Sequence, residues 1–396
     1  MLSQRLSRVA PSATLAISAR AKEMLREGKK VVNLSVGEPD FDTPSFIKEA
    51  AIQALKEGFT KYTPVAGIPE LIQAIREKLE RDNNLSYSNS QIMVSSGAKE
   101  VLYNAFQAIC NQGDEVIIPS PYWVSYPEQV KLAGGIPVFI SLDFQRGMRL
   151  ERKRLSQVIS PRTKALILNS PHNPTGGVFS LEELKEIAEF ALTQDFLIIT
   201  DEIYEKLIYE GTHVSIASLG KEIEKKTITI NGVSKTYSMT GWRIGYAAGP
   251  QEVIEGMKKI QSQSTSCANS IAQKAAVEAL LGPQDEVEKA RREFEKRCQV
   301  MMDRLSRIEG ITCPKPQGAF YVFPNISSFL GTHYGDWIIR NSVDLAKYLL
   351  ERAEVATVPG SAFGADNHLR LSYAASLDQI NEGLDRIKEA LGNLKG

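Results

Sequence analysis

Several things are scarce in this chain of 396 residues. It has four cysteines, Cys110, Cys267, Cys298 and Cys313, scattered and without a Cys-x-x-Cys pair. That spacing excludes a disulfide frame and a cysteine zinc site. Each reads as a small buried apolar residue of a reducing compartment, so a cytoplasmic protein is expected and no bound metal. Net charge is missing, since 47 Lys and Arg balance 47 Asp and Glu. There is therefore no electrostatic case for nucleic acid or a membrane surface as partner. No apolar run approaches the length of a membrane span. The opening Met1-Leu-Ser-Gln-Arg-Leu-Ser-Arg8 lacks the apolar core of a signal peptide. Internal repeats and low-complexity tracts are absent too. What remains is an ordinary globular composition at a length of two or three domains.

From Ile92 onward, apolar strand patterns alternate with helical ones. The strands expected are Ile92–Ser95, Glu115–Ile118, Pro137–Ile140, Ala165–Leu168, Phe196–Thr200, Thr227–Ile230 and Ile244–Ala248. Continuous apolar strands between helices imply an α/β fold, a mainly parallel sheet covered on both faces. Ile244–Ala248 follows its neighbour too closely for a crossover and should run antiparallel to it. Before the sheet, helices are expected over 18–27, 43–57 and 69–81, with a short strand at 31–35. After it, residues 251–310 read as mostly helical. Strands at 311–313, 318–323, 356–358 and 368–372, with helices near 342–352 and 377–391, form a smaller α+β part.

Ligands of such sheets bind beyond the carboxyl ends of the strands. Four strand ends here carry chemistry. After Thr227–Ile230 the chain breaks at Asn231-Gly232 and reaches Ser234-Lys235, then Gly241-Trp242-Arg243. A lysine just past a buried strand loses its proton more readily than a solvated one, and a neutral amine condenses with an aldehyde. Ala165–Leu168 runs into Asn169-Ser-Pro-His-Asn173-Pro-Thr-Gly176, and Phe196–Thr200 into Asp201-Glu-Ile-Tyr204. Ile92–Ser95 runs into Gly97-Ala98-Lys99, which opens a helix and so offers backbone N–H groups to an anion. Taken singly, each has a bland alternative: a surface lysine, a helix N-cap acid, a turn glycine, a surface arginine.

Taken together, in this order and spacing, the motifs resemble the fold-type I aminotransferases that use pyridoxal phosphate (PLP). They are most similar to the class I aspartate aminotransferases of the bacterial type. The carrying motifs are Asn-Pro-Thr-Gly at 173–176, Asp-Glu-Ile-Tyr at 201–204, Ser-Lys at 234–235, Gly-Trp-Arg at 241–243, and Arg370 ahead of Tyr373. The resemblance covers nearly the whole chain. It implies a large PLP-binding domain over 46–295, with a seven-stranded sheet, and a small domain formed by 1–45 and 296–396.

The resemblance also implies roles. Lys235 carries the cofactor and acts as general base. Asp201 holds the ring nitrogen, which accepts carbanion density best when protonated. Its neighbour Glu202 should face away. Tyr204 and Asn173 hydrogen-bond the ring's phenolate oxygen, and Trp123 stacks on the ring. Gly97, Ala98, Lys99, Ser234 and Arg243 hold the phosphate, and the Gly-Trp-Arg setting favours burial of Arg243. Tyr62 reaches the cofactor phosphate of a partner subunit, which makes a homodimer with shared sites the expected assembly. Gly37 contacts substrate, as do Trp123 and Asn173, and Arg370 clamps its α-carboxylate. Lys99 and Thr14 match positions that take the side-chain end.

The implied reaction is amino transfer from L-aspartate to 2-oxoglutarate by a ping-pong mechanism. Prephenate or an aromatic amino acid is the alternative substrate. A carbon–sulfur β-lyase would use the same residues without needing an oxo acid. A DNA-binding regulator built on the fold would need an extension that Met1 leaves no room for.

Overall fold

A computed structural model describes residues 2–11 and 13–395, with the side chains of residues 13–15 excluded. Its centre is a seven-stranded sheet: β1 (Ile92–Ser95), β2 (Glu115–Ser120), β3 (Ile136–Ser141), β4 (Thr163–Asn169), β5 (Leu197–Asp201), β6 (Thr227–Gly232) and β7 (Gly245–Ala248). The strand order is β1-β7-β6-β5-β4-β2-β3. Strands β2 to β6 pair in parallel, and β7 runs antiparallel between β6 and β1.

The strands are apolar on both faces because both faces are covered. Val116, Ile118, Ala165, Ile167 and Ile199 pack on one side with Phe106 and Met257. Their neighbours Ile117, Leu166, Leu168 and Ile198 pack on the other with Phe179 and Leu184. A single slip in register would exchange these two sets.

Helices α1 (Ala13–Arg26), α2 (Ser45–Lys56), α3 (Pro69–Asn83) and α4 (Ala98–Ile109) lie in the first third of the chain. Helix α3 starts on Pro69, whose missing N–H costs nothing there, and stops at Asn84 in the left-handed region with φ 55°. It buries one lysine. Lys78 is 2% exposed and pairs with Glu205, itself held by Asn83 Nδ2 at 2.9 Å. Removing one partner of a buried pair strands the other charge. Lys78→Met is expected to lower stability by about 3–5 kcal/mol. Urea unfolding checks this, and a loss under 1 kcal/mol would mean the pair is not buried in solution.

A second core gathers around α5 (Asp285–Leu305), with Val32, Leu34, Phe294, Phe320, Leu349, Leu371 and Ile387. Helix α5 runs unbroken through residue 295, where the sequence places a domain limit. This part carries β8 (Tyr321–Val322), β9 (Val358–Pro359) and β10 (Leu369–Ser372), in the order β9-β10-β8. Val32–Asn33 pairs in parallel with Val355–Ala356.

Some elements are shorter than expected. The 318–323 strand shrinks to β8 because Ala319 sits in the left-handed region at φ 58°, which no strand residue adopts. Residues 311–313 form no strand, and Thr312 makes an isolated bridge to Asn325. The first helix starts five residues earlier than expected, at Ala13. Among the described residues no helix is long and apolar enough to cross a membrane.

Candidate active site

One cavity of about 330 Å³ lies over the carboxyl ends of β4, β5 and β6. Gly37, Ala98, Lys99, Trp123, Asn173, Asp201, Tyr204, Ser234, Lys235, Arg243 and Arg370 all line it. Residues far apart in sequence therefore meet over one rim of the large sheet, Gly37 and Arg370 reaching it from outside that sheet.

Lys235 follows β6. It is half-buried, and its Nζ donates to the Gly37 carbonyl at 2.5 Å. Burial pulls its pKa down to about 8, a shift that Glu38 opposes and Arg370 and Arg243 assist. The amine is thus neutral over part of the physiological range.

Asp201 ends β5 and is 5% exposed. Burial raises its pKa to about 6, against hydrogen bonds that favour the carboxylate. Tyr126 donates to Oδ2 at 2.8 Å and the Ile203 N–H to Oδ1 at 3.3 Å. A carboxylate this poorly solvated is poised to receive a cation. Glu202 points to the far side of the turn, where Ser215 and Thr200 donate to it at 2.7 and 3.1 Å.

Gly97 caps α4 with φ 91°, and Ala98 and Lys99 bring the helix N-terminus to the cavity. The φ of Gly97 favours glycine, and a Cβ there would meet the Arg243 guanidinium. Strand pairing explains the meeting, since Gly245 stands opposite both Ser95 and Gly232. Arg243 departs from expectation because it is exposed, not buried. Its backbone is left-handed at φ 58°, which turns the side chain along the rim to the carbonyls of Thr240 at 2.8 Å and Ser96 at 3.3 Å.

Arg370, on β10, is 2% exposed. Its Nη1 donates to Asn173 Oδ1 at 3.1 Å and Nη2 to the Ser35 carbonyl at 2.9 Å, while Nε is buried without a partner. Its guanidinium lies 4.4 Å from the Tyr321 ring centroid. Tyr204 and Tyr321 share a hydrogen bond of 2.9 Å. Lys99 stands 5.1 Å from the Trp123 ring centroid, and burial lowers its pKa.

Tyr62 stands apart from the cavity and is 92% exposed. The Thr14 side chain lies outside the described residues. The lining residues that were not anticipated include Tyr126, Asn169 and Tyr321. Tyr126 stands in the first turn of the helix Ser125–Leu132, its N–H donating to the Trp123 carbonyl at 3.1 Å.

These donors suit one kind of ligand. A helix N-terminus with Ser234 and Arg243 fits a phosphate, a buried acid fits a ring cation, and a buried amine of lowered pKa fits an aldehyde. At Gly97 the backbone and the Arg243 guanidinium come together beside the helix N-terminus, and among the described residues Arg370 Nε has no hydrogen-bond partner.

Comparison with known proteins agrees with this chemistry. The family described as aminotransferase class I and II matches residues 29–387. The chain is 51% identical over 390 residues to an aspartate aminotransferase of Geobacillus stearothermophilus, covering 98% of each. It is 49% identical over 393 residues to a probable aspartate/prephenate aminotransferase of Aquifex aeolicus, again covering 98% of each. Among solved structures, an aspartate aminotransferase from Rhizobium meliloti superposes with a TM-score of 0.96 at 45% identity, covering all of both chains. One from Thermus thermophilus with maleate gives 0.93 at 45% identity, covering 98% of this chain and 99% of that one.

Proposed function

We infer that this chain, which belongs to the class I and II aminotransferases, moves the amino group of L-aspartate to 2-oxoglutarate. It is a PLP-dependent aminotransferase of fold type I. When bound, PLP supplies a pyridinium ring that takes up the electron pair left at the substrate's Cα. The observation that carries the inference is the convergence of Lys235, Asp201 and Arg370 on one cavity.

Each residue has a task that its surroundings support. Lys235 would hold the cofactor through its amine and would move the proton at the substrate's Cα. Asp201 would hold the ring nitrogen, its carboxylate fixed by Tyr126. Tyr204 and Asn173 serve the phenolate oxygen, and Trp123 covers the ring. Gly97, Ala98, Lys99, Ser234 and Arg243 hold the phosphate. Arg370 takes the substrate α-carboxylate, helped by Gly37 and Asn173. Residues 46–295 hold the cofactor, and the small part, 1–45 with 296–396, brings Gly37 and Arg370 to it.

Aspartate is favoured by the relatives that carry that name and by Lys99, a cation placed to meet a distal carboxylate. Lys99 equally supports prephenate as a second substrate, in keeping with the name of the Aquifex relative. The exposure of Tyr62 supports a homodimer in which it reaches the phosphate site of the second copy. A cytoplasmic location goes with the unpaired cysteines.

Absorbance of the PLP-loaded protein tests the substrate. Aspartate is expected to bleach the visible cofactor band as oxaloacetate appears, and 2-oxoglutarate to restore it. A band that ignores aspartate but answers to glutamate, with prephenate restoring it, would overturn aspartate as donor.

A further inference from the structure

The turn Asp201–Glu205 has two faces. Asp201 and Tyr204 look into the cavity. Glu202 and Glu205 look the other way, into a buried cluster of charge. Glu202 is fully buried, Glu205 is 7% exposed and Lys78 2%. Glu202 Oε2 meets His213 Nε2 at 3.0 Å, while Oε1 accepts from Ser215 and Thr200. Glu205 is held by Lys78 and Asn83, and Lys78 also donates to Asn83 Oδ1 at 2.7 Å.

The ligand-type atoms of Glu202, Glu205 and His213 lie within 4.8 Å of one another. A cation is not required there. Protein donors already serve every carboxylate oxygen, and Lys78 supplies one of the two positive charges the acids need. His213 supplies the other when protonated.

We infer that Glu202 and His213 are positioning residues for the cavity: their mutual neutralisation holds the Asp201–Glu205 turn and sets the electric field at Asp201 and hence at the cofactor ring. The backbone carries the mechanical half of this coupling. The Glu202 N–H donates to the Ile230 carbonyl at 2.9 Å, and the Glu205 N–H to the Glu202 carbonyl at 3.0 Å. The electrical half follows from adjacency, since a bare Glu202 carboxylate one residue from Asp201 favours protonation on the cavity side.

His213 makes the field depend on pH. Burial works against its charge, but Glu202 beside it and Glu205 behind it prevail, so its pKa lies above 6.5 even with Lys78 nearby. The other charged or titratable groups around the cluster are Arg81, Asp82, Tyr87, Lys206, Glu224, Tyr237 and Tyr246. Below 6.5 the Glu202–His213 pair is neutral overall. As pH rises through the folded pKa of His213, the pair becomes an anion and its stabilising effect on the turn is lost.

This inference rests on the cavity holding PLP, and the test separates the two. The readout is the pH midpoint of the visible absorbance band of the loaded protein, with PLP affinity as a second measure. A proton on the bound cofactor makes it more positive, so a nearby negative charge raises the midpoint and a positive one lowers it. His213→Gln leaves Glu202 bare and is expected to raise the midpoint by about half a pH unit. Glu202→Gln is expected to lower it by a similar amount, and the double variant to return it to near the wild-type value. Should Glu202→Gln fail to fold, His213→Lys, which keeps the pair neutral, replaces it and is expected to hold the midpoint near the wild-type value while His213→Gln raises it. A His213→Gln midpoint that stays put, or midpoints that move the same way in both Gln variants, would overturn the inference while leaving the PLP site standing. Absence of any band in the wild type would instead remove the PLP site.

Discussion

Lys235→Ala lowers turnover by about 10⁴-fold or more, because one side chain supplies both the covalent attachment and the proton transfer. The fold should survive the change. Lys235 contributes a single side-chain hydrogen bond, to the Gly37 carbonyl, and its burial costs more than that bond returns. Borohydride reduction followed by peptide mass analysis should find the cofactor on residue 235 in the wild type and nowhere in the variant. The pH dependence of attachment follows from the same burial. The wild-type amine takes up PLP faster as pH rises through about 8, where it loses its proton. Turnover within tenfold of the wild type in Lys235→Ala would end the assignment.

Asp201→Asn separates function from stability. Turnover is expected to fall by about 10³-fold, since an amide cannot hold a ring nitrogen in its cationic form as a buried carboxylate does. Stability of the cofactor-free protein should move the other way. The folded pKa of Asp201 is raised from 3.8 to about 6, so across that window the folded chain binds more protons than the unfolded one. Stability therefore falls as pH rises through the window, and above about 6 the full penalty stands. Asparagine removes it, a gain on the order of 2–3 kcal/mol at pH 7.5 that vanishes near pH 3.5. Tyr126 and the Ile203 N–H can both still bond the amide. Urea unfolding of cofactor-free wild type and variant at the two pH values reads this directly. A variant less stable than wild type at pH 7.5 would show that Asp201 is not desolvated as described.

Much of this architecture could be read before any coordinates. The seven strands carry unbroken apolar runs because neighbouring residues are buried on opposite faces, and that leaves a plain trace. The reversed strand β7 followed from a connection too short for a crossover. The small part left a weaker trace. Its strands β8 and β9 are two residues long, and β8 is cut short by the left-handed Ala319, a strain that no sequence pattern marks in an alanine.

The site divides in the same way. Lys235, Asp201 and Asn173 stand at strand ends, where sequence alone places ligands. Asn169 ends a strand in the same motif as Asn173 and was legible by place, whereas Tyr321 reaches the site only through the packing of the small part. Arg243 was legible as a residue but not in its exposure, which depends on a backbone turn at φ 58°. The charge cluster behind Asp201 unites Lys78 of α3, two acids of the turn and His213. Their spacing gave no hint that they meet.

The cavity takes Gly37 from ahead of the large sheet and Arg370 from beyond it. A chain emerging from the ribosome can therefore complete all seven strands of that sheet while its α-carboxylate clamp is still unmade. Through that interval Lys235 and Asp201 can already be assembled, yet no amino acid can be gripped at both ends. The order of synthesis thus supplies the residues around Lys235 and Asp201 before the clamp for the substrate's α-carboxylate.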